Sequence, residues 1–185
     1  MLFRLPPEVL VLLIPVLLFA LVFHEFSHAW VANKLGDPTA RYAGRLTLNP
    51  MAHLDPIGGL MILFVGFGWA KPVPVDIRYL SNPRVDMMKI AFAGPAANLL
   101  LAFVGGTILR FGFVPGTMTM MIMFFTQINI MLAVFNMIPI APLDGSRIFS
   151  GLLIRTNPEL VRNLQIYGPK TVSYTHLTLP TKRIV

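Results

Sequence analysis

The stretch that most constrains this chain is Leu21–Trp30, LVFHEFSHAW, at the end of a run from Val9 to Phe23 without a charged residue. Two histidines four apart, His24 and His28, share one face of a helix and stand about 6 Å apart along its axis. Their imidazoles can bind one zinc ion, with Glu25 beside the metal to take a proton from an attacking water. A carboxylate and two imidazoles at membrane depth are costly unless something holds them, so a functional intramembrane site is the default reading. The competing reading, a polar cluster that merely packs helices, leaves three such residues at this depth unexplained.

Composition supports a membrane setting. Of 185 residues, 55% are hydrophobic and 12% charged, the mean hydropathy is +0.69, and the apolar residues fall in long blocks. The chain is read as a polytopic helical membrane protein in a lipid bilayer. It has no cysteine, so disulfides and a thiolate metal site are excluded, and zinc must use histidine and carboxylate. The net charge of +7 is read as loop charge that orients the protein and touches anionic lipid, with no nucleic acid as partner. The first apolar run lacks a small-residue cleavage site where one is expected and reads as a retained helix.

Residues 9–32, 85–109 and 117–138 are predicted to span the membrane. Residues 57–70 are apolar but too short to span, and contain Gly58, Gly59, Gly66 and Gly68. They read as a re-entrant or irregular segment packed against protein. Ala40 to Leu48 (ARYAGRLTL) suggests a small β-hairpin, and Ser146 to Ile154 a short helix after Pro139 and Pro142. The expected fold class is therefore an all-α polytopic membrane protein with three transmembrane helices, a re-entrant segment and a small β-hairpin. Residues 1–170 form one domain. Residues 171–185 (TVSYTHLTLPTKRIV) are polar and unlike anything upstream, and read as a non-native tail that replaces a final helix lost by truncation.

Charge placement decides the topology. Lys34, Arg41 and Arg45 precede the 57–70 segment, and Lys71, Arg78, Arg84 and Lys89 follow it. If the segment dips in and returns, all seven share a face with Arg147, Arg155, Arg162 and Lys170, against Arg4 and Arg110 on the other side. The positive-inside rule favours that arrangement and makes the crowded face cytoplasmic. Catalytic zinc takes three protein ligands and keeps a position for water. In this topology the third span returns to the cytoplasmic side at Asn136 to Asp144, which delivers Asp144 to the depth of the two histidines.

The motifs HEFSH at 24–28, NPMAHLDPIG at 49–58, FAGPAANL at 92–99 and NMIPIAPLDG at 136–145 together resemble the site-2 protease family of intramembrane zinc metalloproteases, in its short form without a PDZ or CBS domain. The resemblance implies one Zn2+ per chain held by His24, His28 and Asp144, and Glu25 as the general base that later protonates the leaving amine. It implies that Asn136 donates to the oxyanion or the substrate backbone. The reaction it implies is regulated intramembrane proteolysis: hydrolysis of a peptide bond in or near a transmembrane helix of a membrane-protein substrate. A helix hides its carbonyls in internal hydrogen bonds, so the bond must first be unwound. The implied location is a prokaryotic cell membrane, with the active site towards the cytoplasm.

Other readings stand beside these. Asp144 suits a helix N-cap as well as a ligand position. His53 and Asp55 are read as turn residues or as outer groups that support the metal ligands. Asn136 could instead satisfy backbone freed by Pro139. Gly94, Pro95 and Asn98 are read as serving helix packing and a kink, and the methionines as lipid-facing or core filler. For the whole chain, the alternative function is a non-hydrolytic metal- or helix-binding membrane protein, which needs ligands but not the base Glu25. A third possibility is an HExxH protease of another lineage with Glu159 as ligand. Glu159 lies on a polar stretch, outside the apolar run.

Overall fold

The computed structural model describes residues 6–58, 61, 70–112 and 114–163. Among the described residues its helices include, in chain order, α1 (Pro7–Lys34), α2 (Thr39–Tyr42), α3 (Pro50–His53), α4 (Pro83–Phe111), α5 (Gly116–Asn136) and α6 (Asp144–Leu153), with a 3-10 turn at Ile77–Tyr79. Helices α1, α4 and α5 are long and apolar enough to cross a membrane; at 1.5 Å per residue each is at least about 31 Å long.

Local chemistry sets their ends. Pro7 occupies the first turn of α1, where its fixed φ fits and its missing N–H is no loss. At the start of α4 the Asn82 side chain accepts from the Val85 N–H while Asp86 accepts from the Asn82 N–H, a reciprocal cap. Both helices run beyond the apolar cores at 9–32 and 85–109 because these caps lie outside them. Helix α5 stops at Asn136, ahead of Pro139, which disfavours helical backbone at the residue before it.

Helix α4 is the centre of the assembly and packs against α1, α5 and α6. Val16 and Ala20 of α1 bury against Ile128 of α5, and Ala32 of α1 buries against Ile90 of α4 and Leu80. Small residues at these crossings bring the backbones close, as membrane helices require when lipid offers apolar contacts of equal quality. The outer faces are apolar and open, with Phe103 72% exposed and Phe19, Met120, Met131 and Val134 also outward. Met118, Met121 and Met123 share that exposed side. This is the surface of a multi-pass membrane protein.

The expected β-hairpin at Ala40–Leu48 is not formed, and the described residues contain no strand. The Asp37 carboxylate accepts from both the backbone N–H and the hydroxyl of Thr39, which starts a helical turn instead. That turn closes in a Schellman motif: the Arg45 N–H reaches the Ala40 carbonyl and the Gly44 N–H the Arg41 carbonyl, with Gly44 at φ +68°. The Asp37 side chain at one end and the glycine-closed backbone turn at the other favour a helical turn over the expected strand pairing.

Most of the segment expected to be re-entrant, 57–70, lies outside the described residues, as does the 171–185 tail. The two ends of the segment are described. Leu54 and Ala70 form an isolated antiparallel bridge, and the Lys71 N–H donates to the His53 carbonyl at 2.8 Å. The buried Arg45 guanidinium clasps both sides of this neck through the carbonyls of Ala52 (2.5 Å) and Lys71 (3.3 Å).

Candidate metal centre

His24 and His28 sit one turn apart on the buried side of α1, and their Nε2 atoms are 3.1 Å apart. Asp144 begins α6. Its Oδ2 lies 3.1 Å from His24 Nε2 and 3.2 Å from His28 Nε2. Leu143, not Asp144, holds the N-cap position of α6 and makes no side-chain cap bond, so the Asp144 carboxylate is turned to the histidines rather than spent on the helix end. Gly145 allows this: a Cβ there would strike the backbone carbonyls of Met137 and Ile138. Helix α6 therefore starts tight against the end of α5.

The other ring nitrogens decide what the three atoms offer. His28 Nδ1 meets the Ile90 carbonyl at 2.7 Å; a carbonyl can only accept, so Nδ1 carries the proton. His24 Nδ1 meets Asn98 Oδ1 at 2.5 Å and is likewise the N–H donor. In the neutral rings each Nε2 then presents a lone pair to the same point as the Asp144 oxygen. Three electron-pair donors at this spacing repel one another unless a cation lies between them. Four-coordinate zinc with ligands at about 2.0–2.1 Å needs donor atoms about 3.3 Å apart, and two imidazoles with one carboxylate is a known catalytic donor set. The residues fit zinc. If a proton fills the corner instead, burial opposes the charge on Asp144, but the imidazoles outweigh it and hold its carboxyl well below the usual carboxylate range.

The α4 backbone approaches the centre closely at Gly94, where a Cβ would collide with Nε2 of both histidines. Next to the cluster lies a cleft of about 410 Å³, with Glu25, Asn136, Pro72, Val73 and Phe135 in its wall. Glu25 is half-buried, and among the described residues its carboxylate makes no hydrogen bond. Asn136 donates from Nδ2 to the Leu132 carbonyl at 3.0 Å. It does not serve the carbonyl freed by Pro139, that of Phe135, which the Ile138 N–H takes.

Other residues lie apart from the cluster. His53 is fully buried; its Nε2 contacts the Thr47 carbonyl at 2.8 Å and its Nδ1 has no partner among the described residues. Asp55 accepts from the N–H groups of Ile57 and Gly58, a turn-capping role. Neither bonds to His24, His28 or Asp144. Glu159 is exposed and outside the group that could hold a metal ion, which among the described residues is His24, His28 and Asp144.

The positions bonded to the histidines are Asn98 and the Ile90 carbonyl, and Asn98 is in turn bonded to Asn129. Sequence reasoning assigned Asn98 to packing and passed over Asn129. The signal was an uncapped asparagine in the middle of each of two apolar helices, a costly placement without a partner.

Comparison with known proteins agrees with this geometry. The family model described as peptidase family M50 matches residues 12–117 and 113–167. The chain is 42% identical over 158 residues to "Putative zinc metalloprotease YwhC" of Bacillus subtilis, covering 80% of this chain and 72% of that protein. It is 32% identical over 163 residues to "Putative zinc metalloprotease Rip2" of Mycolicibacterium smegmatis (84% and 61%). It is 36% identical over 131 residues to "Putative zinc metalloprotease MJ0611" of Methanocaldococcus jannaschii (69% and 63%). The chain thus spans less than two thirds of Rip2 and of MJ0611. No solved structure matches it significantly. With this match over most of its length and a donor set that fits zinc, the chain belongs to peptidase family M50, the site-2 protease family of zinc metalloproteases.

Proposed function

We propose that this protein is an intramembrane zinc endopeptidase that hydrolyses a peptide bond in or near a transmembrane helix of a membrane-protein substrate. The observation that carries this reading is the triangle of His24 Nε2, His28 Nε2 and Asp144 Oδ2, with sides of 3.1–3.2 Å, beside a cleft that Glu25 also lines. These three residues would hold the metal, one ion per chain. Zinc bound there supplies Lewis acidity, polarising the scissile carbonyl and making water a competent nucleophile at neutral pH.

The chain's own groups do the rest. The Glu25 carboxylate takes a proton from the attacking water, whose oxygen bonds to the carbonyl carbon. As the C–N bond breaks, Glu25 gives that proton to the leaving nitrogen and is an anion again. The second N–H of the Asn136 amide is free to donate to the substrate carbonyl as negative charge develops on it. The apolar wall of the cleft receives a substrate segment that has been unwound, since a folded helix offers no carbonyl for attack.

The charge distribution and the Leu54–Ala70 bridge support a re-entrant path for 57–70. A spanning segment would part its ends by about 30 Å, the thickness of the hydrocarbon core. The basic loops then share the cytoplasmic face, and the site opens to that side of a prokaryotic cell membrane.

The assay is the full chain in liposomes with a single-span substrate. Cleavage in or near the span is expected, reduced at least about tenfold by a zinc chelator and restored by zinc; chelator-insensitive cleavage contradicts the reading. Topology is tested separately. The chain has no cysteine, so Leu48→Cys and Ser81→Cys each give one reporter. Both are expected to label from the same side with an impermeant reagent, and labelling from opposite sides overturns the re-entrant path.

A further inference from the structure

Helix α5 contributes no atom to the donor triangle, yet one of its side chains is linked to it through Asn98. Asn129 and Asn98 are both completely buried between the three long helices. Asn129 Nδ2 lies 2.8 Å from the Phe125 carbonyl, and its Oδ1 lies 2.7 Å from Asn98 Nδ2. Asn98 Nδ2 also reaches the Ala20 carbonyl at 3.3 Å, and Asn98 Oδ1 faces His24 Nδ1 at 2.5 Å.

The direction of this chain of bonds is forced. The Phe125 carbonyl can only accept, so Asn129 turns its NH2 towards it and its oxygen towards Asn98. The Ala20 carbonyl and Asn129 Oδ1 are both acceptors, so they use both N–H groups of Asn98 and leave only its oxygen for His24. His24 must therefore carry its proton on Nδ1 and keep its lone pair on Nε2.

We propose that Asn129 is a positioning residue for the metal centre: by fixing the orientation of the Asn98 amide, it selects the His24 tautomer that can bind metal. The inference rests on the proposed ligand role of His24. Without Asn129 the Asn98 amide loses the shorter of its two acceptors, and only the 3.3 Å bond to the Ala20 carbonyl still opposes its turning over. Its NH2 would then donate to His24 Nδ1, and the ring would carry its proton on Nε2, where it cannot ligate. The relay also couples the centre to α5, the helix that places Asn136 in the cleft wall.

The test uses the full chain in detergent with 15N-labelled histidine, at a pH well above the ordinary histidine range and after zinc removal. His24 is expected as the Nδ1–H tautomer in the parent, and an Nε2–H parent overturns the inference without any variant. Asn129→Leu, similar in size but without polar atoms, is expected to shift His24 towards Nε2–H and to weaken zinc binding about 10- to 100-fold, the usual range for outer partners of a ligand. Asn129→Asp, kept neutral by complete burial, can donate its O–H to the Phe125 carbonyl and keep the acceptor for Asn98, and is expected to retain zinc affinity within about threefold. A purely structural Asn129 would lower the melting temperature of the Leu variant with tautomer and zinc affinity unchanged, which overturns the proposal. Failure of the ligand reading looks different: His24→Ala would keep parental zinc affinity.

Discussion

Gly94→Ala is expected to abolish metal binding while the helices stay assembled. The added Cβ would collide with Nε2 of His28 and with Nε2 and Cε1 of His24; the two Nε2 atoms are the proposed metal donors. Neither ring can retreat freely. His24 is held through Nδ1 by the buried Asn98 relay, and His28 through Nδ1 by the Ile90 carbonyl, one turn before Gly94 on the same helix. Moving α4 outward would break both bonds. The substitution should therefore weaken zinc binding at least about a hundredfold, beyond what loss of an outer partner causes, and cleavage should fall with it. Helical content should hold, because alanine favours a helix over glycine by about 1 kcal/mol. Zinc titration and circular dichroism of the same sample check this. A Gly94→Ala protein that binds zinc like the parent would return Gly94 to a role in helix packing alone.

Much of the centre was legible in the sequence. HEFSH on an apolar helix declares two imidazoles and a carboxylate on one turn, because helical periodicity is a local property. Asp144 was found by a long-range argument in which the loop charges set the topology and the topology set its depth. The structure then brings it to 3.1–3.2 Å from both histidines. What escaped depends on tertiary contacts that no spacing encodes. Gly94 reads as a packing residue until the rings of α1 are seen against it. Asn98 reads the same way until its amide is traced to His24, and Asn129 gives no local sign beyond its polarity. The β-hairpin expected at 40–48 failed for the opposite reason: Asp37 and Gly44 act locally at either end to close a helical turn. His53 and Asp55 belong to the neck at Leu54 and Ala70, where backbone partners account for their hydrogen bonds apart from His53 Nδ1.

In the proposed reaction Glu25 carries the step from metal site to enzyme. A binding or transport site is complete with His24, His28 and Asp144, and has no use for a carboxylate beside them. Glu25 lines the cleft next to the ligands, and among the described residues nothing else engages it. Glutamine has the same shape, cannot take a proton from water, and leaves all three ligand side chains in place. Loss of a positioned general acid–base costs about 10²- to 10⁴-fold in rate.

The decisive measurement is thus zinc content and cleavage rate on one preparation of Glu25→Gln, with the parent alongside. About one zinc per chain should remain, with cleavage of the single-span substrate at least about a hundredfold slower. A Glu25→Gln protein that holds its zinc and cuts as fast as the parent would contradict the account.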